Sequence, residues 1–172
     1  FSVLLFNSSG KLLIQKRARE KITFPSIWAN SCCSHPLHTE SEINGVDGAK
    51  RAAKRKMEQE LGINPKEIDL DKLNYITKMR YKARADKKWV EYEIDYIFAI
   101  KCDVEINPNQ IEIEDTKYVD SDELDSIFQD GKSRIGPWFR IIKEKFLDDI
   151  WKSIDSLEVA GDTKLHHMGD CE

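Results

Sequence analysis

The chain has 172 residues, of which 40% are hydrophobic and 34% charged, and it carries a net charge of −4. This length fits a single domain with appendages, and the hydrophobic fraction is enough to fill one core. The small negative charge gives no reason to expect nucleic acid as a partner, and no apolar run approaches the roughly 20 residues that cross a membrane.

The N-terminal segment predicts a β-hairpin. Apolar or alternating residues occupy positions 1–7 and 12–17 on either side of Ser8-Ser9-Gly10, a combination typical of two strands and a turn. The chain opens directly in the first strand, with neither an initiator methionine nor a targeting segment, so we expect the N-terminal part of the domain to precede Phe1. An irregular stretch and a polar loop follow as far as Gly45.

The central part of the chain predicts one helix and two long strands. Small or apolar residues recur with helical spacing over 48–61, and Gly62 follows as the C-terminal stop. Strands are predicted over 73–83 and 88–102 because these runs are rich in aromatic and β-branched residues. The turn signal Asn-Pro-Asn then occupies 107–109.

The C-terminal part predicts two further helices. After a short strand at 118–119, Asp120 and Glu123 form a capping-box pattern that opens a helix to about Phe128. Pro137 suits the first turn of a final helix, which would reach about residue 154 with its apolar residues on one side.

The order of these elements predicts an α+β fold. A single domain is expected over 1–155, with a central helix and terminal helices packed against strands. The remaining tail, 156–172, is polar, holds His166 and His167, and has no clear pattern.

Two short stretches carry residues that suit proton transfer and metal binding. The run NSCCSHP places Cys33 and His35 two positions apart, and WVEYE places Glu91 and Glu93 on one face of a strand, about 7 Å apart. A thiol, an imidazole and two carboxylates in one pocket could hold a metal ion and move protons on both sides of a small substrate. The simpler alternatives are a solvated strand face for the two glutamates and a structural role for His35.

The cysteines indicate a reducing environment and no disulfide framework. Four occur, at positions 32, 33, 102 and 171, and two of them are adjacent, which rarely suits a disulfide. We therefore expect a reducing compartment, with the cytoplasm as first choice. The sequence alone does not choose between Cys32 and Cys33 as the reactive thiol.

Basic residues near these stretches suit an anionic substrate. Arg17 and Lys21 precede the thiol stretch, and the segment 50–56 is rich in Lys and Arg. Most of these side chains would form a solvated helix face, but a few converging on a pocket would bind a diphosphate, with Glu60 holding a divalent cation beside it. Trp138 is either a core aromatic or an indole face that stabilises a developing cation.

These residues carry a resemblance to a known family. The chain resembles the type 1 isopentenyl-diphosphate isomerases, a family of the Nudix superfamily, and it is most similar to the eukaryotic members. The matching segments keep the family's order and spacing from residue 1 to about 150 and read FSVLLFN, KITFP, NSCCSHP, QELGI, YKA, EYEIDY and GPWF. The resemblance implies a Nudix-like α/β/α sandwich with a mixed central sheet.

The Nudix signature G-x5-E-x7-R-E-U-x-E-E-x-G-U is degraded in this chain. Arg55 and Glu60 remain, but Lys56 and Gln59 stand where the pattern has acids. The first glycine and first glutamate of the pattern are likewise replaced, by Ser41 and Asp47. A pyrophosphohydrolase needs those carboxylates to gather its metal ions, so their loss points away from hydrolysis.

The resemblance also implies a role for each candidate site residue. Cys33 and Glu93 would transfer protons on opposite faces of the substrate, with Tyr81 orienting the acid and Trp138 facing the allylic cation. The side chains that would contact the diphosphate or its surroundings are Arg17, Lys21, Ser34 and Lys56. Those that would bind divalent metal are His35, Glu91 and Glu93, together with Glu60, which would contact magnesium bridging to the diphosphate.

The implied metal site holds one divalent ion, which could be magnesium, manganese or zinc, and a second magnesium binds with the substrate diphosphate. Two further histidine ligands are implied in the segment just before residue 1, so the chain as given holds three of five expected protein ligands. His166 and His167 do not match those two positions.

The implied reaction interconverts isopentenyl and dimethylallyl diphosphate in isoprenoid and sterol biosynthesis. Protonating an unactivated alkene creates a tertiary carbocation, so the acid must be strong and water must be excluded. The resemblance implies a monomeric enzyme with a small-molecule substrate and neither nucleic acid nor membrane as partner. It would act in the cytoplasm, or in a peroxisome or plastid where a targeting signal exists.

Two alternative functions stay open. A Nudix pyrophosphohydrolase is the first, although the degraded signature argues against it. The second is a non-catalytic or truncated remnant that binds prenyl diphosphate. A nucleic-acid module built on 50–56 is a weaker third, because no base-reading motif accompanies that basic run.

Overall fold

The computed structural model describes residues 1–156 and 161–171, and within these residues it contains one eight-stranded sheet flanked by helices. The strands are β1 (Ser2–Phe6), β2 (Leu12–Arg17), β3 (Trp28–Ala29), β4 (Cys32–Cys33), β5 (Asn74–Arg84), β6 (Val90–Lys101), β7 (Ile113–Val119) and β8 (Leu165–Cys171). The helices are α1 (Gly45–Leu61), α2 (Ser121–Gln129), α3 (Pro137–Ile142) and α4 (Asp148–Ser153), with a 3₁₀ turn at Pro65–Glu67.

The sheet is mixed, as the resemblance implied. Its main path runs β3-β2-β1-β6-β5-β8, while β4 also pairs with β1 and β7 also pairs with β2. The pairs β1–β6 and β5–β8 are parallel, and the pairs β1–β2 and β5–β6 are antiparallel. Strand β1 therefore has β4 and β6 as neighbours, and these two strands carry the thiol and the glutamates of the candidate site.

Two apolar layers cover the two faces of the sheet. Along β1, Val3 and Leu5 pack with Ala53 and Met57 of α1, while alternate residues of the same strand pack with the C-terminal helices. This division follows from the pleat, because successive side chains of a strand point to opposite faces. The α/β/α sandwich is confirmed.

The local signals at helix and strand ends are mostly confirmed. The first hairpin turns at 8–10, and α1 ends at Leu61 and is capped by Gly62, whose φ of 66° is the left-handed conformation that glycine adopts without strain. Helix α2 begins with the expected capping box between Asp120 and Glu123. The final helix starts at Pro137, but a π-helical segment at Lys143–Leu147 separates α3 from α4.

Several boundaries differ from the sequence prediction. Helix α1 starts three residues before 48, and β7 begins at 113 where only 118–119 was expected. The irregular stretch contains β3 and β4, whose two-residue length leaves no periodic pattern to detect.

The prediction of a patternless tail was wrong for 165–171, which forms β8. This strand adds to the edge of β5 in parallel, beside Lys78–Ala83. Its polar composition is compatible with an edge strand, which buries few side chains. Residues 157–160 and 172 of the predicted tail lie outside the described residues. Within the described part of the chain, no helix has both the length and the apolarity to cross a membrane.

Candidate active site

A cavity of about 410 Å³ brings most of the predicted site residues together. It is surrounded by β4, β5, β6, the segment that follows β2, the segment before β7 and the start of α3. The predicted site residues that line it are Arg17, Lys21, Cys33, Ser34, His35, Tyr81, Glu91, Glu93 and Trp138. These residues come from distant stretches of the sequence and lie together around one cavity of the fold.

The carboxylates come from one face of β6. Glu91, Glu93 and Asp95 alternate along the strand and all reach the cavity. Tyr81 lies directly opposite Glu93 in the β5–β6 pairing and donates its hydroxyl to Glu93 Oε1, while His35 Nε2 lies 2.5 Å from Glu93 Oε2. The predicted i, i+2 geometry is confirmed, and both oxygens of Glu93 are engaged by neighbouring side chains.

The pKa values of the two glutamates are shifted in opposite directions. Burial favours a raised pKa for Glu93, but its hydrogen bonds with His35 and Tyr81 outweigh burial and bring the pKa below the ordinary value. Burial raises the pKa of Glu91, and the negative charge of Glu93 adds to that effect. The hydrogen bond with Glu93 raises the pKa of His35. Carboxylates whose pKa values diverge in this way are typical of acid–base sites.

The register of β4 decides which thiol faces the cavity. Cys33 pairs with Ser2 of β1 and lines the cavity, whereas Cys32 pairs with Val3 and is completely buried on the α1 side. Burial raises the pKa of Cys33 to about 12, so its thiol is protonated at neutral pH in this structure. Cys33, the thiol to which the resemblance assigns proton transfer, is the one that lines the cavity.

Trp138 forms an aromatic wall of the cavity. Its indole Nε1–H donates to Asn30 Oδ1 at 2.9 Å, and the ring of Phe24 meets it edge-on with centroids 5.3 Å apart. The Arg17 guanidinium carbon lies 5.7 Å from the indole centroid. The indole is thus fixed by neighbours on several sides and already interacts with one cation.

The two cations at the cavity are held differently. Arg17 donates from Nε and Nη2 to the carbonyl oxygens of Phe24 and Thr23, at 3.0 and 2.9 Å. Its charge is felt by the nearby carboxylates of Glu91 and Glu112. Lys21 Nζ instead forms a direct ion pair with Glu112 Oε2 at 2.5 Å. An incoming anion would bind Arg17 without displacing a carboxylate hydrogen bond but would compete with Glu112 for Lys21.

Lys56 and Glu60 do not line the cavity. They pair with each other at 3.0 Å along one face of α1, and Glu60 is only 4% exposed. Gln15 Nε2 donates to Glu60 Oε2 at 3.3 Å, and the Cys32 thiol lies 3.7 Å from the same oxygen. The predicted contacts of Lys56 with diphosphate and of Glu60 with magnesium stay predictions.

The donor types at the cavity match a divalent metal ion in kind. His35 offers a nitrogen, and Glu91 and Glu93 offer carboxylate oxygens. Asp95 Oδ1 is buried and accepts no hydrogen bond from residues 1–156 or 161–171, although the Phe1 nitrogen lies 3.5 Å away. Within the same residues, no three His, Cys, Asp or Glu side chains already converge on one point as a metal-binding group.

Sequence reasoning missed several residues of the site. Asn30 and Glu112 contact the indole and Lys21, and Ile22 and Ile111 line the cavity although they are 72% and 73% exposed. No periodic pattern marks these positions, because they lie in loops or at strand ends. Their roles depend on pairings that only the folded chain creates.

Arg55, the arginine that survives from the Nudix signature, fixes the loop before α1. It donates from Nε and Nη2 to the two carboxylate oxygens of Glu42, at 2.7 and 2.9 Å, and the Leu37 amide donates to Glu42 Oε2 at 2.7 Å. The hydrogen bonds from Arg55 lower the pKa of Glu42 in spite of burial. Its carboxylate is therefore ionised at neutral pH in the folded protein.

Replacing Glu42 with glutamine is expected to lower the free energy of unfolding at pH 7 by about 2 kcal/mol, because a charged hydrogen-bonded pair is lost. The pKa of Glu42 is lower in the folded than in the unfolded state, so its stabilisation is present above its ordinary value of 4.5 and is lost as the pH falls through the folded value. Urea titrations should show a steeper loss of stability below about pH 4.5 in the wild type than in Glu42→Gln.

The matched control is Glu58→Gln, which removes an exposed carboxylate from α1, the helix that carries Arg55. It should follow the wild-type dependence of stability on pH. Parallel curves for the wild type and Glu42→Gln would contradict the assignment of the pair.

The chain is similar to known proteins over most of its length. The NUDIX domain family matches residues 1–139. An isopentenyl-diphosphate delta-isomerase of Gibberella zeae is 44% identical over 161 residues, which cover 91% of this chain and 64% of the relative. Isopentenyl-diphosphate Delta-isomerase 1 of Bos taurus is 43% identical over 174 residues, which cover 98% of this chain and 77% of the relative. The chain thus spans less than two thirds of the fungal protein's length.

The fold has neighbours among solved structures. The MutT protein of Methanosarcina mazei aligns with a TM-score of 0.53 over 86% of this chain and 91% of that protein, at 17% sequence identity. At this identity the similarity concerns the fold alone.

Proposed function

Because this chain belongs to the Nudix superfamily and, within it, to the isopentenyl-diphosphate delta-isomerases, we propose that it interconverts isopentenyl diphosphate and dimethylallyl diphosphate. The observation that carries this proposal is the placement of Cys33 and Glu93 in one cavity, on strands that both pair with β1. A thiol and a carboxylate on different walls can add a proton to one carbon of a substrate and remove one from another.

The reaction balances with one proton added and one removed. In the direction of dimethylallyl diphosphate, an acid on the enzyme protonates the terminal methylene of the substrate, and the former double bond supplies the electron pair for the new C–H bond. The resulting tertiary carbocation loses a proton from C2 to a base on the enzyme, and the double bond forms between C2 and C3. Cys33 and Glu93 would provide this acid and this base. In the reverse direction, the residue that acted as the acid acts as the base, and the other acts as the acid.

The remaining walls suit the parts of this substrate. Trp138 would place its ring beside the carbocation, where the electron-rich face stabilises positive charge. The guanidinium of Arg17 would bind the diphosphate, with Lys21 joining when it exchanges Glu112 for phosphate oxygens, and Ser34 adding a hydroxyl. Enclosing a five-carbon chain in this cavity would keep water from the cation.

We propose that His35, Glu91 and Glu93 hold one divalent metal ion, because imidazole and carboxylate are ligands that magnesium, manganese and zinc accept. When bound, such an ion would supply Lewis acidity at the cavity. Lys56 and Glu60 would act at the diphosphate with magnesium, which requires the pair to open. We propose further that the protein is a monomeric enzyme of isoprenoid and sterol biosynthesis. Its proposed place in a reducing compartment such as the cytoplasm agrees with the free thiols of Cys32, Cys33 and Cys102.

The proposal is tested by incubating the purified protein and magnesium with isopentenyl diphosphate in D₂O and following the products by NMR. We expect dimethylallyl diphosphate with deuterium in a methyl group, because the added proton comes from the enzyme and exchanges with solvent. Release of phosphate or pyrophosphate from nucleoside diphosphate derivatives, with no isomerisation, would reject the isomerase and favour a hydrolase. Binding of prenyl diphosphate without any turnover would favour the non-catalytic alternative.

A further inference from the structure

A single buried amide connects two walls of the cavity. Asn30 lies between β3 and β4 and has no exposed surface. Its Oδ1 accepts the indole Nε1–H of Trp138 at 2.9 Å, and its Nδ2 donates to the carbonyl oxygens of Val3 and Cys32 at 3.1 and 2.9 Å. The side chain thus contacts β1, β4 and α3 at once.

The surroundings of Asn30 fix the orientation of its amide. Two carbonyl oxygens face the Nδ2 group and one N–H faces Oδ1, so exchanging the two ends would place oxygen against oxygen and nitrogen against nitrogen. Aspartate, which has no donor when ionised, could not make the bonds to Val3 and Cys32. Only an amide of this length satisfies all three partners.

These hydrogen bonds restrain Cys33 and Trp138, two side chains whose positions matter for the proposed reaction. The Cys32 carbonyl belongs to the same peptide group as the Cys33 nitrogen, so its hydrogen bond holds the peptide plane from which the Cys33 side chain projects. Strand β4 has only two residues and little pairing of its own. On the other side, the bond to Nε1 holds the rotation of the Trp138 ring.

We propose that Asn30 is a positioning residue that sets the placement of the Cys33 sulfur relative to the Trp138 ring. This inference rests on the proposed isomerase function, because it matters for turnover only where a thiol and an indole act on the same substrate. Asn30 itself does not line the cavity. It acts through its two neighbours.

Ser31 provides a matched comparison for a merely structural role. It is as deeply buried as Asn30 and also joins strands, because its hydroxyl accepts from the Leu5 amide at 2.8 Å and donates to the Leu13 carbonyl at 2.6 Å. Its side-chain partners are backbone groups of β1 and β2 alone. Losing it should weaken the sheet without disturbing the thiol or the indole.

The experiment compares Asn30→Ala with Ser31→Ala at a temperature where both variants are folded by circular dichroism. We expect Asn30→Ala to lower kcat by about 100-fold with little change in KM, because a misplacement of about 1 Å costs that much while diphosphate binding is untouched. Ser31→Ala should lower the melting temperature but keep the wild-type kcat. A wild-type kcat in Asn30→Ala, or an equal loss of kcat in Ser31→Ala, would overturn the inference.

A second measurement needs neither turnover nor a folded Asn30 variant. The indole N–H of Trp138, assigned by its absence from the ¹⁵N spectrum of Trp138→Phe, should exchange with D₂O far more slowly than that of Trp89, which is 43% exposed. Equal exchange rates would reject the hydrogen bond to Asn30. Absence of isomerisation in the wild type would reject the proposed function while leaving this exchange test in force, so the two failures are distinguishable.

Discussion

Replacing Cys33 with alanine is expected to lower kcat for isomerisation by about 10³-fold, since positioned acid–base groups contribute roughly 10²–10⁴-fold. The methyl group of alanine can carry no proton, and within the described residues no other thiol lines the cavity. The fold should survive, because Cys33 belongs to a two-residue strand whose pairing with β1 uses backbone atoms. Turnover of isopentenyl diphosphate followed by NMR, with circular dichroism as a check on folding, measures both effects.

The neighbouring thiol offers a close control for that experiment. Cys32→Ala removes the same group one residue earlier, but from the α1 side of the sheet, where the thiol lies 3.7 Å from Glu60. We expect a loss of stability of about 1 kcal/mol and a kcat close to that of the wild type. If Cys32→Ala lost activity and Cys33→Ala kept it, the assignment of the reactive thiol from the register of β4 would be wrong.

Elements with a strong local pattern were predicted well from the sequence. Helix α1 has helix formers, apolar spacing and Gly62 at its end, and β5 and β6 are long aromatic runs, so local sequence is enough to specify them. Strands β3, β4 and β8 were missed because their existence depends on pairing with β1, β2 or β5. A two-residue strand has no periodicity, and the polar edge strand β8 has no apolar face to reveal it.

The candidate site was predictable to the extent that it follows from alternation along strands. The i, i+2 rule placed Glu91 and Glu93 on one face without knowledge of the fold. The residue pattern alone did not choose between Cys32 and Cys33, and only the resemblance implied Cys33. The register of β4 against β1, which turns Cys33 to the cavity, is encoded in no local pattern. Lys56 and Glu60 were grouped with the cavity by resemblance, whereas the structure pairs them with each other along α1, away from the cavity lining.

Replacing Glu93 with glutamine is the second change expected to abolish most turnover, by about 10³-fold in kcat. The amide keeps the shape of the carboxylate, and its oxygen can still accept the Tyr81 hydroxyl, but it can neither release nor take up a proton near neutral pH. The loss should therefore appear in kcat, while circular dichroism shows a folded variant whose melting temperature is lowered by the loss of the charged pair with His35. A variant with wild-type turnover would remove Glu93 from the proton-transfer pair and leave the cavity with a thiol alone.

A Tyr81 variant tests whether Tyr81 acts in the reaction through Glu93. If the hydroxyl of Tyr81 works by orienting the Glu93 carboxylate, Tyr81→Phe should lower kcat by about 10- to 100-fold in the wild-type background. Losses of this size are typical when a residue that orients a site group through a hydrogen bond is replaced. The same change should have little effect once Glu93 is already glutamine, because residues that act as a unit are strongly non-additive. Full additivity in the double variant would mean that Tyr81 acts on the substrate independently of Glu93. The hydrogen bond between Tyr81 on β5 and Glu93 on β6 would then serve only to hold the sheet together. The proton-transfer role of Glu93 would have to be explained without it.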